Sequence, residues 1–129
     1  MNATAPRRVL VVDDDEGIRK FTERALERAG YVVVSAANGA EALELVEQEP
    51  PFDLFIIDLQ LGPMPGEELA HRLRRLDPDI TVLYFTGFKD RLLDYGKVLS
   101  KNEAVIEKPV TVKGLQEAVA RLLAGRTRG

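Results

Sequence analysis

The stretch "VLVVDDDEGIR" at 9–19 sets four branched apolar residues directly before four acids, Asp13, Asp14, Asp15 and Glu16. A continuous apolar run behind Arg7 and Arg8 has the pattern of a strand buried on both faces, here 8–12, as in parallel sheets. Beyond it Ile18, Phe21, Ala25, Leu26 and Ala29 recur at helical spacing, and Gly30 closes that helix. The acids between strand and helix are costly, because like charges repel and taking them out of water costs more. Either they open a helix with water around it, or something positive sits among them. Asp15 and Glu16 fit the first reading, as first-turn acids favoured by the helix dipole. Asp13 and Asp14 leave both readings open.

The same alternation runs outward along the chain. "YVVVSA" (31–36) reads as a second strand, and "NGAEALELVEQ" as a helix with Ala42, Leu43 and Val46 on one face, ended by the prolines at 50–51. "DLFIID" (53–58) is the third and most apolar strand, followed by a helix over 66–76 with Leu69, Leu73 and Leu76 inward. "ITVLYFT" (80–86) is the fourth strand, with a weaker helical stretch over 88–99. A short fifth strand, 104–107, precedes an amphipathic helix over 111–125 with Leu115, Val119, Leu122 and Leu123 inward. Five such units predict an α/β fold, a doubly wound parallel sheet with helices on both faces.

Composition narrows the function. The 129 residues fit one domain with one core, and 45% hydrophobic with 30% charged residues is an ordinary globular balance. Without cysteine there is no disulfide, thiolate nucleophile or cysteine zinc site, and a single histidine excludes a histidine-rich metal site. A net charge of −3 gives no reason to expect direct nucleic-acid binding. The N-terminus has no apolar signal region and no run approaches membrane-spanning length, so we expect no membrane insertion and a cytoplasmic location. His71 falls off the apolar face of its helix and reads as a surface residue.

In an open parallel sheet, ligands bind at the carboxyl ends of the strands. Strand one ends in Asp13 and Asp14, strand three in Asp58, strand four in Thr86 and Gly87, strand five in Glu107, Lys108 and Pro109. Asp58 follows "LFII" with no polar neighbour, an expensive place for an unpartnered carboxylate. Three carboxylates meeting at one spot need a hard cation between them, and such oxygen ligands suit Mg²⁺. Thr86 and Lys108 carry little weight alone; the coincidence over four strand ends carries the argument.

"VLVVDDDEGIR", "ANGAEAL", "FDLFIIDLQLGPMPG", "VLYFTG" and "VIEKPV" together resemble the receiver domain of two-component response regulators, over about residues 8–124 of a single domain spanning 1–129. The resemblance implies a flavodoxin-like sheet of order 2-1-3-4-5 with five helices. It implies that Asp58 is the phosphoacceptor, taking a phosphoryl group from the phosphohistidine of a sensor histidine kinase or histidine phosphotransfer protein. It implies that Asp13, Asp14, Asp58 and the backbone carbonyl of Gln60 hold Mg²⁺, with Mn²⁺ as a substitute. Thr86, the Gly87 amide and Lys108 match the phosphoryl-binding and switch positions, and the bond before Pro109 is expected to be cis. Such a domain is not a conventional enzyme, although it promotes its own phosphorylation and dephosphorylation.

The sequence departs from the family's pattern in three places. Val105 stands three residues before Lys108, where the family usually carries a switch aromatic. The stretch over 88–99 carries Gly96, and an interior glycine costs about 1 kcal/mol relative to alanine, so the fourth of the five helices is expected to be short or irregular. Pro63 falls one residue later than the common Met-Pro pattern, while Gly66 keeps its usual distance from Asp58. Val105 and the expected irregularity of the fourth helix keep an alternative alive, a pseudo-receiver that binds proteins without phosphorylation, although the intact set of Asp13, Asp14, Asp58, Thr86 and Lys108 argues against it. An aspartyl-nucleophile phosphatase would want an acid where Gln60 stands. An FMN binder would want a Ser/Thr/Gly-rich loop where the chain puts Asp13–Asp15.

Overall fold

Five strands, β1 (Arg8–Val12), β2 (Val32–Ala36), β3 (Leu54–Asp58), β4 (Val82–Thr86) and β5 (Glu103–Glu107), form one sheet of order β2-β1-β3-β4-β5 in the computed structural model, which describes residues 6–87 and 102–124. All four pairings are parallel. Four helices are described, α1 (Glu16–Arg28), α2 (Gly39–Gln48), α3 (Gly66–Leu76) and α4 (Val112–Ala124). The helical stretch expected over 88–99 lies outside the described residues, and the other four of the five expected helices are present. Among the described residues no helix is long and apolar enough to cross a membrane.

The two-residue period of the strands divides the core in two. Leu10, Val12, Phe55, Ile57, Val82 and Tyr84 face α2 and α3, packing with Ala42, Leu69, Ala70 and Leu73. Val9, Val11, Leu54, Ile56, Leu83 and Phe85 face the other way, against Ala25 and Leu26 of α1 and Leu115, Val119 and Leu123 of α4. β3 is buried along its whole length. Apolar faces at helical spacing and buried strands at alternate spacing thus fix which helix lies on which side.

Local chemistry sets the ends. Asp15 is the N-cap of α1, its Oδ1 accepting from the Ile18 amide at 3.2 Å, with Glu16 in the first turn. Gly30 closes the α1–β2 turn at φ +96°, a conformation L side chains rarely adopt. At α2, Asn38 accepts from the Glu41 amide and Glu41 accepts from the Ala37 amide, a reciprocal cap. Leu76 departs from expectation. Helical spacing puts it inward with Leu69 and Leu73, but it is the last residue of α3 and is 61% exposed. Its neighbour in the core is Ala70 instead. The peptide bonds before Pro51 and before Pro109 are cis.

Arg8 clamps the α2–β3 connection. Its guanidinium lies 4.4 Å from the Phe52 ring centroid and donates through Nη1 to the carbonyls of Glu49 (2.5 Å) and Pro51 (2.7 Å). Its own amide donates to Asp53 Oδ2. The connection therefore holds β3, and with it Asp58, from the strand's far end.

Candidate functional site

β1 and β3 are adjacent and in register, Val12 beside Ile57, so the residues that follow them, Asp13 and Asp58, emerge at the same edge. Asp58 in turn sits beside Phe85 of β4. The β4–β5 ladder continues one step past the strands, where the Lys108 amide donates to the Thr86 carbonyl at 2.7 Å. Neighbouring strand ends thereby bring Asp13, Asp58 and Lys108 together, with Thr86 next to them at the end of β4.

Carboxylate oxygens of Asp13, Asp14 and Asp58 all lie within 4.8 Å of one another. Asp13 and Asp58 are buried, at 1% and 5% exposure, while Asp14 is open to solvent. The Lys108 ammonium reaches into the cluster, 3.4 Å from Asp13 Oδ2 and 3.3 Å from Asp58 Oδ2. Backbone amides take the other oxygens: Asp15 N donates to Asp13 Oδ1 and Gln60 N to Asp58 Oδ1, each at 2.9 Å. The opening acids are thus divided by role. Asp15 caps a helix, Asp13 is buried and paired, and Asp14 makes no hydrogen bond or ion pair with any described residue.

The charges reflect that geometry. Burial holds Asp13 above the ordinary carboxylate range and the nearby Asp58 adds to the rise, against the Asp15 amide and Lys108, which pull it down. Burial alone would lower Lys108, but Asp13 and Asp58 together outweigh it, and the ammonium is held above its ordinary range. Three carboxylates against one ammonium leave a formal excess of two negative charges. A divalent cation bound by oxygens balances that excess, and Asp14, with its oxygens uncommitted, offers an entry ligand. The donor set therefore fits a hard divalent metal.

Of the other residues singled out in the sequence, Thr86 is buried at the end of β4 and Gly87 is exposed just beyond it. Gln60 stands beside Asp58 through its amide. Val105 is half-buried on the α2/α3 side of the sheet, in register with Tyr84. Tyr84 carries the aromatic ring of that neighbourhood, with its hydroxyl between Arg74 and Glu103. His71 is exposed.

Three features of the site have roles that the sequence does not show. Arg19 donates through Nη1 to the Asp13 carbonyl at 2.7 Å. Gly66 packs its Cα against the Asp58 backbone, where a Cβ would fall 2.4 Å from the Asp58 carbonyl oxygen. Ile18, Phe21, Phe85, Pro109 and Val110 line an apolar cavity of about 290 Å³ beside Lys108. An arginine in a helix's first turn and a glycine at its start are common in any sequence. Gly66 is marked in the sequence only by its distance from Asp58, and the helical period of Ile18 and Phe21 points to the core.

A family model described as the response regulator receiver domain matches residues 9–120. The chain is 35% identical over 117 residues to the response regulator receiver protein CpdR of Brucella abortus (strain 2308), covering 91% of this chain and 97% of that one. It is 31% identical over 116 residues to the sensor kinase CckA of the same organism, covering 89% of this chain but 12% of that protein. Among solved structures, the response regulator protein TrrA of Thermotoga maritima, in complex with Mg(2+)-BeF, superposes with a TM-score of 0.76 at 30% identity, covering 90% of this chain and 98% of TrrA.

Proposed function

The chain belongs to the response regulator receiver domain family, a family of phosphoacceptor modules in two-component signal transduction, and from that membership we propose that Asp58 is the residue this chain phosphorylates. The observation that carries the reading is the Lys108 ammonium held between Asp13 and Asp58 in a cluster of three carboxylates.

The donor is the phosphohistidine of a sensor histidine kinase or a histidine phosphotransfer protein. A carboxylate oxygen of Asp58 attacks phosphorus in line. The new O–P bond forms as the P–N bond breaks, and the imidazole nitrogen leaves with the electron pair. Such a transfer needs positioning and charge neutralisation more than covalent assistance. Asp58 is held at the end of a fully buried strand, and the Gln60 amide fixes one of its oxygens. Lys108 needs only a short shift from carboxylate to phosphoryl oxygen to neutralise the transferred group. Thr86 Oγ1 and the Gly87 amide, at the adjacent strand end, supply further donors. Asp13, Asp14, Asp58 and the Gln60 carbonyl would hold Mg²⁺, or Mn²⁺ in its place. Such an ion, when bound, supplies positive charge for the phosphoryl oxygens. An acyl phosphate is labile, so hydrolysis resets the module.

Intact-protein mass after incubation with phosphoramidate or acetyl phosphate tests this. The expected result is one added phosphoryl group in the wild type with Mg²⁺, and none in Asp58→Asn or after chelation. No addition under any donor would overturn the reading in favour of a module that binds proteins without phosphorylation. Addition that persists in Asp58→Asn would move the acceptor elsewhere.

A further inference from the structure

We propose that Arg19 is a positioning residue for the metal-binding loop, setting the affinity of the acidic cluster for a divalent cation through the backbone of Asp13. This rests on the reading of Asp13, Asp14 and Asp58 as metal ligands.

Asp13 is the first residue past β1, and every polar atom it has is held. Its amide donates to the Ala36 carbonyl at 3.2 Å, the last rung joining it to β2. Its Oδ1 accepts from the Asp15 amide and its Oδ2 from Lys108. Its carbonyl has passed the end of the ladder, at a residue only 1% exposed, and the partner it finds is the Arg19 guanidinium. A buried carbonyl without a partner is unfavourable, so removing the guanidinium forces the loop to turn that carbonyl toward water. Arg19 lies in the first turn of α1, the helix whose N-cap is Asp15. One side chain thus ties the start of the helix to the last residue of the strand. Asp14, exposed and uncommitted, stands between two anchored residues, so the direction of its carboxylate follows from the clamp.

Arg19 also carries a permanent positive charge, and the two effects oppose each other. Positioning tightens metal binding, whereas charge near the site weakens it. The guanidinium bonds a neutral carbonyl and no carboxylate among the described residues. Positioning therefore dominates, as it does where outer-shell partners orient metal ligands.

The test is calorimetric titration of the full chain with MgCl₂, for wild type, Arg19→Ala, Arg19→Lys and Asp14→Asn. Loss of the outer-shell contact in Arg19→Ala is expected to weaken Mg²⁺ binding by about tenfold. The Mg²⁺ concentration that half-saturates phosphorylation by phosphoramidate should rise by the same factor, while the rate at saturating Mg²⁺ stays within about twofold of wild type. Arg19→Lys, which keeps the charge and one donor, should recover part of the affinity, and it carries the titration alone if the alanine variant fails to fold. Unchanged affinity in both variants, with only a lower melting temperature, would make Arg19 a purely structural contact and overturn the proposal. Tighter binding in Arg19→Ala would overturn it in favour of charge. Wild type that binds no Mg²⁺, or Asp14→Asn that binds like wild type, would defeat the ligand reading itself.

Discussion

Replacing Gly66 by alanine adds a single methyl group at the start of α3, and the structure leaves no room for it. A Cβ there falls 2.4 Å from the Asp58 carbonyl oxygen, 2.9 Å from Leu59 Cα and 3.0 Å from Ile57 Cγ2, where ordinary contact begins at 3.4 Å. The first contact is short by about 1 Å, and the two shortest involve backbone, which cannot rotate aside as a side chain would. Alanine is favoured over glycine in a helix by at most about 1 kcal/mol. Overpacking costs roughly 1–3 kcal/mol, occasionally more, and backbone obstruction belongs at the upper end. The net loss is about 2 kcal/mol, which for a chain of this length lowers the melting temperature by roughly 6–10 °C. Gly62, in the loop before α3, is the control, since a Cβ there meets nothing within 4 Å. Calorimetry of both variants should show a large drop for Gly66→Ala and little change for Gly62→Ala. Because the displaced atom belongs to Asp58 itself, phosphorylation by phosphoramidate should also slow by on the order of tenfold or more. A Gly66→Ala protein that melts at or above wild type would refute the packing argument. Equal losses in both variants would refute its specificity.

Other substitutions probe the site and its supports. A folded-state pKa raised above the unfolded one means that the folded chain binds the proton more tightly, so the stability owed to Asp13 falls as pH rises from its ordinary value of 3.8 through the raised one. Metal-free Asp13→Asn should therefore melt above wild type at neutral pH, with the gap closing below pH 3.8, and should lose the thermal gain that Mg²⁺ gives wild type. Arg8→Ala removes two hydrogen bonds and a ring contact and should cost roughly 1–3 kcal/mol in urea unfolding. Arg8→Lys should restore less than half, because an ammonium cannot stack and fork as a guanidinium does. Asn38→Ala should cost about 1 kcal/mol by the same assay, and Asn38→Asp almost nothing, since aspartate caps as well.

The strands and their ends were legible because burial on both faces writes itself as unbroken apolar runs, and whatever polar residue ends such a run is conspicuous. Asp13 and Asp58 stand out that way, whereas Lys108, behind Glu107 on a half-buried strand, gains weight only from its coincidence with the other strand ends and from the family resemblance. Leu76 was misplaced because periodicity reports the face of a helix and not how far along it the burial extends. Arg8 and Arg19 were silent because each acts on backbone carbonyls, and a carbonyl leaves no mark in the sequence. Gly66 was noted for its distance from Asp58, but the reason it must be glycine, a backbone crossing at contact distance, exists only in three dimensions. Tyr84 read as one more strand aromatic; its pairing with Val105 follows from the β4–β5 register, which no local pattern encodes.

β3 is packed on both faces and sits at the centre of the sheet, with β1 on one side and β4 on the other. Amide exchange from such a strand requires the whole domain to open, so it belongs to the slowest class of exchanging elements. The carboxylate at its tip is consequently the stationary member of the site. In the proposed reaction, a partner delivering a phosphoryl group would meet a target whose position does not depend on local fluctuation of the strand. The anvil for that blow would be the central strand of the sheet.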